Sequence, residues 1–290
     1  MEKISSKILI LGSTGMIGHK VFQVLSKNKN FQLFNASKSK LNIDTIIVNL
    51  KDMNQVEVML EQIRPDVVVN AAGILIKDSQ FQPLDAVLLN AILPLSLDKL
   101  SKKIGFKLIQ ISTDCVFSGD NGPYQVSDIK DAKTIYGRSK ALGEINDLEN
   151  LTIRTSVIGP DLKADGKELF NWFMQQTGST EGYSKAIWSG VSTLALANRI
   201  EECIVNNISG LHQLSSGITI SKYDLLCILN NYRDVRLNII KVDGPITNKA
   251  LKNSEVFHLM GNNYLDMLKE MIDDIQMSDT YLHYKLLKYC

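Results

Sequence analysis

A chain of 290 residues holds one large α/β unit with an appendage, or two modest domains, and either arrangement buries a full core. Apolar residues make up 44% and charged residues 22%, with 18 Gly and 6 Pro, values that exclude a disordered or fibrous chain. Thirty-two Lys and Arg against 31 Asp and Glu leave a formal charge of +1, so no basic excess points to nucleic acid or an anionic membrane. The expected partner is a small molecule.

In chain order, β-rich runs at 8–11, 32–35, 45–50, 66–70, 107–112 and 151–155 alternate with helical patterns at 16–27, 53–63, 84–103 and 132–147. The strands are almost continuously apolar, as parallel strands covered by helices on both faces are. This predicts an α/β fold built on a doubly wound parallel sheet over residues 1–160. Past residue 160 helical patterns dominate, at 167–176, 193–206, 221–230, 263–274 and 280–288, and predict a smaller, mostly helical substrate-binding cap over 161–290 whose segments can interleave with the first domain.

Four cysteines, Cys115, Cys203, Cys227 and Cys290, lie far apart without a C-x-x-C pair, which suits neither a zinc site nor a secreted disulfide scaffold. The four histidines, His19, His212, His258 and His283, lack metal-ligand spacing and read as surface or boundary residues, so no metal is expected. The N-terminus enters Lys7-Ile8-Leu9-Ile10-Leu11-Gly12 too soon for a signal peptide, and no apolar run approaches the ~20 residues of a membrane helix. The expectation is a soluble cytoplasmic protein with no membrane partner.

Directly after the first strand comes Gly12-Ser13-Thr14-Gly15-Met16-Ile17-Gly18, a G-x-x-G-x-x-G run opening a helix. Glycines permit a tight turn and close backbone approach to a pyrophosphate, whose charge meets free N–H groups at the helix N-terminus. Where an NAD site would place a carboxylate at the end of the second strand, this chain has Ser37-Lys38. A hydroxyl and a lysine suit a 2′-phosphate, which favours NADPH over NADH, although the same residues also read as a solvated basic turn.

The fifth strand ends in Ser112-Thr113-Asp114, and a later helix carries Tyr136-Gly137-Arg138-Ser139-Lys140. Positions i and i+4 share a helix face, so Tyr136 and Lys140 can act together, the ammonium favouring phenolate and bringing the tyrosine toward proton exchange at neutral pH. The Thr113 hydroxyl can polarise a carbonyl undergoing reduction. Y-x-x-x-K by itself often marks only an exposed helix; the glycine loop, the hydroxyl pair and the Tyr/Lys helix in this chain order give it weight.

The blocks Gly12 to Gly18, Asn70-Ala71-Ala72-Gly73, Ser112 to Gly119, Gly122-Pro123-Tyr124, Tyr136 to Glu144 and Arg154-Thr155-Ser156 span much of the chain. Together they resemble the extended short-chain dehydrogenase/reductases, in particular the dTDP-4-dehydrorhamnose reductase group and its relatives acting on nucleotide-linked 4-keto-6-deoxy sugars. The resemblance implies a Rossmann fold in which Gly12, Gly15, Met16, Ile17 and Gly18 surround the cofactor pyrophosphate, Asn49 and Leu50 lie near the adenine, and Ala71, Ala72 and Gly73 follow the cofactor at the fourth strand. It further implies that Tyr136 donates the proton, that Lys140 holds the nicotinamide ribose, and that Thr113, Asp114, Cys115 and Val157 face the sugar. Dimers are common in the family, so a homodimer is expected as possible.

Two departures bear on the substrate. Cys115 stands where the rhamnose-forming reductases usually carry tyrosine, and Val157-Ile158 stands where they usually carry an aromatic pair. The block Trp188 to Thr193 is closer to relatives that handle other nucleotide sugars, such as UDP-linked N-acetyl-6-deoxyhexoses. Cys115 also replaces the glutamate of the related 4,6-dehydratases and disfavours elimination of water. The expected function is NAD(P)H-dependent reduction of a nucleotide-activated 4-keto-deoxysugar for a surface polysaccharide; the alternatives are a non-catalytic regulatory subunit on the same fold and a nucleotide-sugar epimerase.

Overall fold

Strand β1 (Ser6–Leu11) shows how the sheet is covered, because Ile8 and Ile10 enter one apolar layer while Leu9 and Leu11 enter the other. The structure, a computed structural model, describes residues 5–257 and 263–287. Its first half runs β1, α1 (Met16–Leu25), β2 (Phe31–Ser37), β3 (Ile46–Ile47), α2 (Met53–Ile63), β4 (Val67–Asn70), α3 (Ile76–Phe81), α4 (Pro83–Val87), α5 (Leu93–Ile104), β5 (Lys107–Thr113), α6 (Ile135–Leu142) and β6 (Leu151–Thr155). Then follow β7 (Val157–Ile158), α7 (Leu169–Gln175), β8 (Ser179–Tyr183), β9 (Ala186–Trp188), β10 (Val191–Ser192), α8 (Thr193–Val205) and β11 (Gly210–Leu214). The last elements are β12 (Ile220–Ser221), α9 (Lys222–Asn230), β13 (Asn238–Val242), β14 (Thr247–Asn248) and α10 (Tyr264–Gln276).

Seven strands form one parallel sheet in the order β11-β6-β5-β4-β1-β2-β3. One layer packs α1, α8 and α10 on the sheet, the other α2 and α5. Strand order reverses between β1 and β4, and in such sheets the crevice beyond the carboxyl ends at that point receives ligands. The seventh strand and its helix, β11 and α8, come from beyond residue 160. The remaining second half combines α7, α9 and α10 with short strand pairs β7–β10, β8–β13 and β9 with β12 and β14.

Three predicted helices differ in form. The run predicted at 84–103 is interrupted by a π-helical turn at Leu88–Ile92. Pro94 has no N–H to give the carbonyl four residues back, and the wider turn absorbs the loss. The run predicted at 132–147 shortens to α6, since Thr134 caps it by accepting from the Gly137 N–H while the Ala132 N–H goes to the Val116 carbonyl. The predicted helix 280–288 is a short 3-10 turn at Asp279–Tyr281 followed by a further turn and a single bridge residue, Leu286. There the Leu287 N–H bonds the Tyr232 carbonyl and Leu286 pairs with Arg233, tertiary bonds that outweigh helical ones. Lys288, Tyr289 and Cys290 lie outside the described residues, as does His258.

His19 is a correction as well: it is fully buried in α1 rather than at the surface. Its Nδ1 bonds the Gly15 carbonyl at 2.8 Å and its Nε2 meets the Tyr281 hydroxyl at 2.7 Å, while burial lowers its pKa to about 4. Next to it, buried Lys20 pairs with Asp274 of α10 at 2.5 Å.

A fully buried charge pair joins Arg154 of β6 to Glu144, just beyond α6. Both side chains are 1% exposed, and the contact is bidentate at 2.8 and 2.9 Å. Burial raises the Glu144 pKa, but the hydrogen bond and charge of Arg154, with the Ser112 hydrogen bond and the Lys130 charge, together outweigh it and the net shift is downward. Removing one partner of such a pair costs about 3–5 kcal/mol. Arg154→Met is therefore expected to lose about that much in urea unfolding. Because the folded-state pKa is depressed, the pair stabilises above the ordinary carboxylate range and is lost as pH falls through the folded value. The acid-side loss of Tm should be shallower in Glu144→Gln, which cannot titrate.

Candidate active site

Helix α1 starts at Gly15, whose position as N-cap carries no side-chain cap. No side-chain cap takes up its first N–H groups, the arrangement in which a helix start can receive an anion. The turn is held by the Gly15 N–H to the Gly12 carbonyl at 3.0 Å, and Gly18 presses on that same carbonyl so closely that a Cβ would collide with it. Here the glycine is needed for packing. At the end of β2, Ser37 bonds the Thr14 hydroxyl at 2.7 Å, and Ser39 reaches Thr14 at 3.4 Å.

A cavity of about 280 Å³ opens along this edge, lined by Gly12, Thr14, Gly15, Ser37, Lys38, Asn49, Leu50, Ala71, Ala72 and Gly73 among others. Nine residues named from the sequence thus share one crevice. A small adjoining space carries Ile17, Ala71, Ala72 and Gly73 onward to Tyr136 and Lys140. Met16 and Gly18 build the start of α1 without lining either space. An elongated cleft joining backbone amides, a hydroxyl cluster and a lysine fits a dinucleotide, with Gly15 to Ile17 toward its pyrophosphate and Ser37 and Lys38 toward its ribose.

The floor between the two ends is fixed by buried amides. Asn70 donates to Gln110 at 2.7 Å across the sheet and accepts from the Ala72 N–H. Asn90, in the π-helical turn, accepts from the Ile74 N–H at 2.9 Å, donates to the Ile74 carbonyl at 3.1 Å and reaches Ser139 of α6. It ties the loop after β4 to the helix bearing Tyr136 and Lys140. Neither amide role is visible in the sequence, because nothing local distinguishes these residues from other asparagines.

Helix α6 lies hard against the turn after β5. A Cβ on Gly137 would strike the Cys115 carbonyl oxygen, so glycine is what allows Tyr136 this close to Thr113, Asp114 and Cys115. Thr113 donates to Asp114 at 3.2 Å and accepts from the Cys115 N–H at 3.2 Å. Burial pushes the Tyr136 phenol well above its ordinary pKa, and the neighbouring Cys115 thiol and the carboxylates of Asp114 and Glu168 add to this while a hydrogen bond with Thr113 opposes it. The expectation that Lys140 lowers the phenol is corrected here: its ammonium is bonded to the Ile111 carbonyl at 2.6 Å, and burial dominates. Burial also lowers Lys140 to about 8, against the opposing charge of Glu144.

Cys115 is neutral at physiological pH, its thiol pushed up to about 12 by burial, with Lys249 at 3.5 Å. Val157, in β7, pairs with Val191 of β10 and lines none of the cavities described here. Past Tyr136 a space of about 240 Å³ includes Lys77, Asp78, Lys167 and Glu168, and it leads through Lys77 and Lys167 to a larger one of about 630 Å³ that includes Lys222. Sequence reasoning missed Lys77, Lys167, Glu168 and Lys222, which come from three separate segments and show no shared spacing. Among the described residues no cluster of three His, Cys, Asp or Glu is arranged to hold a metal, and no helix is long and apolar enough to cross a membrane.

Comparison with known proteins agrees with this geometry. Residues 6–181 match the family described as RmlD substrate binding domain, and the chain belongs to that family. It is 35% identical over 155 residues to the spore coat polysaccharide biosynthesis protein SpsK of Bacillus subtilis (strain 168), covering 53% of this chain and 51% of SpsK. It is 34% identical over 145 residues to methionine adenosyltransferase 2 subunit beta of Bos taurus, covering 50% of this chain and 43% of that protein. The chain thus spans about half the length of these relatives. A crystal structure of dTDP-4-dehydrorhamnose reductase from Bacillus anthracis str. Ames, in complex with NADP, superposes with a TM-score of 0.79 at 20% identity, over 93% of this chain and 99% of that one. This likeness shows the shared fold, a seven-stranded parallel sheet between helices.

Gly18→Ala tests the crevice. Overpacking of about 1–3 kcal/mol against the Gly12 carbonyl is expected to weaken NADPH binding about tenfold, read by nicotinamide fluorescence with the circular dichroism spectrum unchanged.

Proposed function

We propose that the protein is an NADPH-dependent reductase of the 4-keto group of a nucleotide-activated deoxysugar, serving polysaccharide biosynthesis. The observation that carries this reading is the convergence of Thr113, Tyr136 and Lys140 at the inner end of the crevice that starts at the glycine loop. Bound in that crevice, a reduced nicotinamide would supply the hydride for the keto carbon. The protein's task is to hold the carbonyl and deliver a proton. Tyr136, kept neutral by burial, is an acid at physiological pH and protonates the oxygen as negative charge develops there. Thr113, whose hydroxyl faces Tyr136, orients the same oxygen. Lys140, fixed on the Ile111 carbonyl, would hold the nicotinamide ribose.

The printed name of SpsK supports the polysaccharide setting, and the NADP-bound reductase with the same fold supports the cofactor. Ser37 and Lys38 in the crevice wall support the phosphorylated form of the cofactor. The free thiols of Cys115, Cys203 and Cys227 support a reducing compartment, the cytoplasm. The likeness to methionine adenosyltransferase 2 subunit beta supports a second reading, a regulatory subunit that binds cofactor without turnover.

The deciding experiment follows loss of reduced-nicotinamide absorbance with dTDP-, UDP- and GDP-linked 4-keto-6-deoxy sugars generated in place by their dehydratases. Oxidation with one donor is expected; tight NADPH binding with no oxidation across the panel would favour the regulatory reading. In the active pairing, Tyr136→Phe should lower turnover about 100-fold or more with NADPH affinity nearly intact, and preserved turnover would assign the proton to another group. Lys38→Asp should move cofactor preference toward NADH, whereas equal loss of affinity for both cofactors would remove Lys38 from their discrimination.

A further inference from the structure

Lys222 opens α9 at the wall of the 630 Å³ cavity, an unfavourable place for a cation in two respects. The first turn of a helix repels positive charge, and burial lowers this ammonium to about 8. Among the described residues no oxygen accepts a hydrogen bond from it; its Nζ lies 4.5 Å above the ring of Trp188. That ring is itself fixed, its Nε1 donating to Ser156 at 2.8 Å and its face stacked on Tyr264. The carboxylates whose charge acts on Lys222 are Asp114 beyond β5 and Glu168 before α7, both of which also act on Tyr136. The cavity that Lys222 lines shares Lys77 and Lys167 with the space that Tyr136 and Glu168 line. Lys77 and Lys167 stand on the same cavity wall, against a single carboxylate there, Glu181, and half-exposed Trp172 and Tyr183 complete an aromatic side. A buried cation held over a ring, with no oxygen accepting from it among the described residues, marks a ligand contact at such a place.

Resting on the reductase reading above, we propose that Lys222 is the specificity-determining residue for activated sugars: it binds the phosphoryl group adjoining the sugar, so that the carbonyl comes to rest beneath Tyr136. The cavity volume suits a nucleoside diphosphate, whose negative charges match the lysine wall and whose base has the aromatic side to stack on. A free keto-sugar, lacking the phosphoryl group, forfeits this contact.

Isothermal titration of the protein loaded with NADP⁺ tests this, with UDP and dTDP as probes and Lys222→Met and Lys222→Arg as variants. For whichever probe the native protein binds, Lys222→Met is expected to weaken it about 10- to 100-fold, the range for a charge-assisted hydrogen bond, and Lys222→Arg to restore most of it. NADPH affinity should stay within twofold, which reports an intact fold. Native binding should weaken as pH rises through about 8, and this slope should vanish in Lys222→Met; Lys140 titrates in the same range but remains in the variant. Unchanged affinity in Lys222→Met, with the slope retained, would overturn the assignment while leaving the reductase reading in place. Failure of the native protein to bind UDP, dTDP or, as a third probe, GDP would overturn both.

Discussion

The site depends on how α6 is fastened to the sheet. Tyr136, Lys140 and Glu144 succeed one another at four-residue spacing, and the latter two anchor this segment. Lys140 donates to the Ile111 carbonyl, and Glu144 accepts from Ser112 at 2.7 Å and from Arg154. One anchor holds β5, the other β5 and β6 together, and both are out of solvent, where a half-made polar contact would be costly. The first of the three, Tyr136, is not an anchor to the sheet: its phenol meets the Thr113 hydroxyl, where the chemistry is proposed.

The same economy governs the cofactor side. The reversal of strand order between β1 and β4 leaves a crevice, and the loop after β4 must cross it without collapsing into it. Asn70 and Asn90 hold that loop from below and from the side, Asn90 doing so from a π-helical turn that Pro94 makes necessary. The cofactor wall and the Tyr136 helix are thus positioned by one side chain. Along the far edge, His19 and Tyr281 brace the glycine loop through the Gly15 carbonyl, linking the chain's last described turn to its first helix.

Much of this was legible in order along the chain. The glycine run, the apolar strands and the Tyr136/Lys140 spacing are local signals, because loop geometry, two-sided burial and a helix face each repeat over a few residues. Gly12, Gly15, Ser37 and Lys38, named from such signals, line the crevice together with Asn49, Leu50, Ala71, Ala72 and Gly73, which only the family resemblance implied. The protonation chemistry was misread for the same reason that it was readable: spacing put Lys140 on the face of Tyr136 but said nothing of the carbonyl that engages the ammonium or of the burial that dominates the phenol. Lys222, Glu168, Lys77 and Lys167 carried no signal at all, since they meet only where α9, the loop before α7 and the start of α3 come together.

By itself the sequence determined the parallel α/β plan, the glycine turn and the set of reactive side chains, all consequences of residue type and short-range period. The tertiary structure alone decided which of those side chains are buried, which are already engaged, and which cations from distant segments complete the chamber. The physical reason is that hydrophobic pattern and backbone preference act over a few residues, whereas desolvation and charge depend on every element packed around a group.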